Sequence, residues 1–124
     1  MDEHERQHVL RAKRRLDSLS LYPSPVVIGR VRVLSSPWLF RIPGFRRFFG
    51  YEVGPLILVR RPLAEVSNDL VTHELTHVWQ DQHVRLAMWR SYLPGWLGGH
   101  VGPYRENPFE REARAAVEAT RDIA

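Results

Sequence analysis

The pattern of hydrophobic and polar positions changes its period along this chain, and each change marks an element. Across residues 2–20, Val9, Ala12, Leu16 and Leu19 recur at helical spacing among charged neighbours, which predicts an amphipathic helix. Tyr22-Pro23-Ser24-Pro25 interrupts it, because the residue before a proline is pushed out of the helical region. Residues 26–34, VVIGRVRVL, are β-branched and partly alternate with arginine, which predicts a strand. Residues 35–50 have no period and hold two prolines, five aromatics and three arginines. This predicts an irregular, partly exposed loop whose amphipathic surface suits a partner or an acidic membrane, unless Trp38 and Phe40 cover the sheet. Residues 56–60, LILVR, predict a second strand, entered through Gly54-Pro55 and closed by Pro62.

At Ser67 the helical period returns. Ser67, Asn68 and Asp69 are N-cap candidates, and Leu70, Val71, Leu75, Val78 and Trp79 form an apolar face that continues or restarts through residues 86–92. Pro94 ends this helix, and residues 93–107 form a glycine-rich loop. Pro108 suits the first turn of a last helix over residues 109–121, with Phe109, Ala113, Ala116 and Val117 along one side. The expected fold is α+β: a small sheet with helices around it, forming one domain over residues 1–124.

With 124 residues, 44% hydrophobic and 26% charged, the chain has the balance of one globular domain. It contains no cysteine, which excludes a disulfide framework, thiolate ligands and a cysteine nucleophile. A metal here has to be held by His, Asp or Glu. The first residues carry charges throughout and no apolar core, and no apolar run approaches membrane-spanning length, so a cytoplasmic location without an export signal is expected. The net charge of +4 resides in short arginine clusters, Arg14-Arg15, Arg46-Arg47 and Arg60-Arg61. No nucleic-acid-binding motif accompanies them, and no nucleic-acid partner is expected.

The chemistry concentrates in His73-Glu74-Leu75-Thr76-His77. Residues four apart on a helix share a face, so both imidazoles can reach one metal ion while Glu74 stands beside it. Zinc lowers the pKa of a water molecule towards about 7, and an adjacent carboxylate can take that water's proton. A third ligand is required. His83 lies ten residues after His73, the spacing of HExxHxxGxxH, but Gln80 replaces the glycine that would end the helix. On an unbroken helix His83 stands about 9 Å further along the axis than His77 and is rotated away. The other candidates are glutamates. Glu110 and Glu112 flank the apolar stripe of the last helix on opposite sides, and Glu106 precedes it; periodicity does not choose among them. Tyr104 and His100, in the loop between the motif and the last helix, could donate to the oxyanion of a tetrahedral intermediate. His4 and His8 read as surface residues, and Trp79, Trp89 and Trp96 as core or loop anchors.

HELTHVWQ, followed about thirty residues later by NPFEREARAA, resembles the gluzincins, zinc peptidases in which a second helix brings a glutamate to complete a His, His, Glu site. The likeness covers residues 56–119 and is nearest to small bacterial HExxH domains, some linked to toxins or contractile injection systems. It implies a zincin-like fold, with residues 56–60 as an edge strand over the motif helix that pairs with an extended substrate. It also implies zinc as cofactor and a peptide or protein substrate. Glu-x-x-Ala falls on Glu110 to Ala113, which makes Glu110 the ligand. His73, His77 and Glu110 would hold zinc, Glu74 would act as base, and Tyr104 would assist. Many gluzincins carry an aspartate four residues after the ligand to orient a histidine; here that position is Arg114, so another group must hold the imidazole or the site is less well tuned. The rival readings are a zinc-holding binding or targeting module with little turnover, and a basic surface module whose motif is accidental.

Overall fold

The computed structural model describes residues 2–41 and 50–123. Among these residues the fold is α+β, with three α-helices and one three-stranded sheet. The first helix, α1 (Glu3–Asp17), begins at Asp2, whose side chain accepts from His4 N at 2.7 Å. It buries Val9, Ala12 and Leu16 as its spacing predicts. Two charged residues go inside with them. Glu5 accepts from the Arg32 guanidinium at 2.7 Å and from the Val33 main chain at 2.8 Å, which ties α1 to the sheet. Arg15 donates to Thr120 Oγ1 at 3.0 Å, the Val117 carbonyl at 2.9 Å and Asp69 at 2.9 Å, pinning three helices together. Arg15 is therefore structural and not part of a surface cluster.

The sheet differs from the expected one. The first strand, β1, is Arg32–Ser35, not the run from residue 26. Residues 26–31 bury Val26 and Val31, but the main-chain N–H and carbonyl of Val27 are both taken by the Gln82 amide, at 3.0 and 2.8 Å. With those groups claimed by a side chain, that stretch docks on a helix and joins no ladder. A strand absent from the sequence reading, β2 (Gly50–Val53), turns through Gly54, at φ 58°, into β3 (Leu56–Val59). The order is β1-β3-β2, with β1 parallel and β2 antiparallel to β3. Residues 56–60 were expected at the edge of the sheet, but β3 is its centre and β2 is the strand beside the motif helix. In the stretch expected as a loop, Phe40 is buried within a 3-10 turn (Leu39–Arg41) while Trp38 is exposed; Arg46 and Arg47 lie outside the described residues.

The long helix α2 (Asn68–Ser91) is capped by Ser67, which accepts from Leu70 N at 3.0 Å, and it kinks at Val84. It runs through the middle of the molecule. Nearly every residue from Val71 to Asp81 is buried, because α1, β2 and the last helix all pack on it. Leu75, Val78 and Trp79 join Val33, Ile57, Val59, Leu16 and Ala116 in one core, each large apolar side chain contributing about 1.5–3 kcal/mol by its burial. The last helix, α3 (Pro108–Thr120), starts at Asn107, which accepts from Phe109 N and donates to Ser91 Oγ at 3.0 Å. That pair fastens the start of α3 to the end of α2. His8, expected on the surface, links α1 to Leu63 and Asn68 at 2.9 Å each. No helix is long and apolar enough to cross a membrane among the described residues.

Candidate metal centre

The packing of α3 on α2 brings Glu110 to the two motif histidines. His73 Nε2 lies 3.0 Å from Glu110 Oε2, and His77 Nε2 lies 2.8 Å from Oε1. The imidazoles stand 5.0 Å apart, centroid to centroid, at 76°. Among the described residues, His73, His77 and Glu110 form the group able to share a metal ion, with one ligand atom from each within 4.8 Å of the others. Glu112, on the other side of the same helix, is engaged elsewhere, accepting from Tyr22 at 2.5 Å and from Gln80 at 3.0 Å. His83 stacks on Tyr22 at 5.2 Å, away from the centre.

The hydrogen bonds of Gln80 define the chemistry of His77. Its Nε2 donates to the Phe109 carbonyl and to Glu112 Oε1, both at 3.0 Å and both able only to accept. Its Oε1 is thereby turned to His77 Nδ1, at 2.7 Å, which must carry a proton. In the neutral imidazole Nε2 then presents a lone pair towards the carboxylate of Glu110. The contact is close, but it lacks the alignment of a hydrogen bond, and Nε2 is buried without another partner. Two acceptors face each other at 2.8 Å, an arrangement stable only with a positive charge between or upon them. Burial alone would depress the basicity of His77, but Glu110, Glu74 and Gln80 outweigh it and raise it. Burial likewise favours the neutral form of Glu110, yet the two histidines and Tyr104 hold its carboxyl far below the usual range. Two imidazole nitrogens with one carboxylate are a donor set of the kind that suits zinc.

Glu74 is buried beside this group. Burial pushes its carboxyl up, with His77 and His73 opposing and Glu110 reinforcing the shift. Gly50 of β2 passes directly over it, and a methyl group there would lie 3.2 Å from Glu74 Cγ. Tyr104 also reaches the centre, but its hydroxyl is given to Glu110 Oε1 at 2.5 Å, which also accepts from Tyr92 at 3.1 Å. His100 stays outside the group and lines a separate cavity with Arg105 and Arg111.

Cavities open on both sides. One, of about 380 Å³, runs past Leu70, His73, Glu74, Arg114 and Val117. The other, of about 220 Å³, is walled by Met88, Trp89, Tyr92 and Leu93, with Glu52 and His77 at its polar end. Glu52 projects from β2, and burial, opposed by His77 but reinforced by Asp81 and Glu74, raises its carboxyl to about 8.

Three residues of this neighbourhood were missed from the sequence. Gln80 carries a signal there, since it lies three residues after His77 on one helix face. Tyr92 and Glu52 carry none, because they arrive through a helix continuation and a strand pairing. Comparison with protein-family models, curated proteins and solved structures gave no match to this chain.

Proposed function

We propose that this chain is a zincin-like metallopeptidase of the gluzincin kind, with His73, His77 and Glu110 holding zinc and Glu74 acting as the base. The observation that carries this reading is the approach of two imidazole Nε2 atoms and one carboxylate to within 4.8 Å, next to a buried glutamate that is not one of the three. When bound, zinc supplies a Lewis acid that polarises a carbonyl and lowers the pKa of water towards about 7.

The protein's own groups do the rest. Gln80 fixes the His77 tautomer and leaves its Nε2 free to ligate. Tyr92 and Tyr104 hold the Glu110 carboxylate in place. Glu74, whose carboxyl burial makes more basic, accepts a proton from the attacking water and returns it to the leaving amine. Tyr104 borders both cavities beside Glu74 and is our candidate donor to an oxyanion, a part it takes only by turning its single hydroxyl proton away from Glu110. Among the described residues β2 is an edge of the sheet, and its outer main-chain groups would serve an extended peptide, the part first expected of residues 56–60.

The test of the metal assignment is zinc content. Purified protein should carry about one zinc per chain, Glu110→Gln should lose most of it, and His83→Ala should retain it. Loss with His83→Ala and retention with Glu110→Gln would show the ligand set to be wrong. A second reading, a zinc-held binding module, is favoured by apolar side chains left in solvent beyond the cavities: Leu86, Trp96 and Val101 are each more than four-fifths exposed. Turnover separates the two.

A further inference from the structure

The smaller cavity beside the metal centre has a composition that the hydrolytic chemistry does not require. Its walls are the Trp89 and Tyr92 rings and the aliphatic chains of Met88 and Leu93, and a carboxylate, Glu52, is set among them. Asp81, close by, already accepts from Trp89 Nε1 at 2.8 Å and pairs with Arg85 at 3.5 Å. Glu52 is different. The Gly54 main chain serves its carboxylate, but Oε2 is buried and has no hydrogen-bond partner among the described residues. A buried acceptor left unmade is costly, so such an atom calls for a ligand that completes it. A volume of about 220 Å³ is below that of pockets for whole drug-sized molecules and suits one side chain.

Resting on the peptidase reading, we propose that this cavity is a specificity pocket for a cationic side chain of the substrate, lysine or arginine, with Glu52 as its counter-charge. The aliphatic stem lies along Met88 and Leu93, the cationic head meets Glu52 Oε2 and draws that buried carboxyl into its ionised form, and the Trp89 and Tyr92 rings add their attraction for a cation. Glu52 sits on β2, so a peptide paired with that edge brings its side chains to the pocket while its carbonyls approach the metal centre.

The experiment compares binding of two blocked pentapeptides, Ala-Ala-Lys-Ala-Ala and the same peptide with norleucine for lysine. The zinc-loaded Glu74→Gln protein is used, so that turnover is removed, and the Trp89 indole N–H resonance is followed during titration. The lysine peptide should bind about tenfold more tightly, as one charge-assisted contact predicts. That preference should vanish when Glu52→Gln is added. Equal binding, tighter binding of norleucine, or a lysine preference that survives Glu52→Gln would overturn the pocket. Cleavage of the same peptides by the zinc-loaded wild type tests the peptidase reading separately. Discrimination without cleavage keeps the pocket and removes the reaction; cleavage without discrimination does the reverse.

Discussion

Gln80 Oε1 accepts from His77 Nδ1 at 2.7 Å, three residues further along the same helix, while its amide nitrogen is held by the Phe109 carbonyl and Glu112 of α3. One side chain therefore couples the packing of α3 on α2 to the state of an imidazole. On the ligand set proposed above, it would take the part of the aspartate that many gluzincins carry four residues after the ligand glutamate, a position held here by Arg114. Arg114 lines the larger cavity instead.

The relationship is open to test through metal affinity. Replacing Gln80 by Leu keeps much of its volume but removes the acceptor, so zinc affinity should fall about 10- to 100-fold, as is typical when a partner of a ligating histidine is lost. His83→Ala is the control and should leave affinity unchanged. Competition with a chromophoric chelator measures both.

Arg15 should be a stability residue with no part in the chemistry. Its contact with Asp69 is half exposed and contributes little, but its bonds to Thr120 and the Val117 carbonyl are buried. Arg15→Ala also strips the alkyl stem from the junction of α1 with α3. Urea unfolding should show a loss of about 3 kcal/mol, with the variant's zinc stoichiometry unaltered.

Glu5 supplies a pH dependence whose sign is fixed. Burial alone would raise its carboxyl, but Arg32 and the Val33 N–H prevail and place it below its ordinary value of 4.5. A group with a depressed folded-state pKa stabilises the protein above its unfolded value, and that contribution is lost as the pH falls through the folded one. Stability measured by urea unfolding should therefore decline as the pH drops below about 4.5. Glu5→Gln should be less stable at pH 7 and should show a shallower decline in acid.

Much of this was legible in the sequence, and the failures have particular causes. The three helices could be read because their apolar positions follow a helical period, with Ser67 among the cap candidates of the second and Pro108 at the first turn of the third. The burial of Glu5 was not expected of a charged residue, although it extends the stripe of residues 9, 12 and 16 by one turn. His73, Glu74 and His77 were local, lying within two turns of one helix. Glu110 could not be separated from Glu112 by periodicity, because the choice depends on which side of α3 faces α2. The β-branched run from residue 26 suggested more strand than exists, because propensity does not reveal that Gln82 will claim the Val27 main chain. The strand β2 is four residues long and ends just before Gly54, too short to show a period, and with it Glu52 escaped notice.

Glu74 provides the most direct test of the central claim, because metal binding and catalysis should separate there. Its carboxylate adjoins the ligand group without belonging to it, so zinc content in Glu74→Gln should match that of the wild type. Cleavage of a mixed peptide library should fall by at least about 10²-fold, the contribution expected of a general base. The decisive measurement is cleavage by the two proteins, each loaded with one equivalent of zinc. Strong cleavage by the wild type and its near-complete loss in Glu74→Gln is the predicted result; equal cleavage by both, or none by a wild type that retains its zinc, would contradict it.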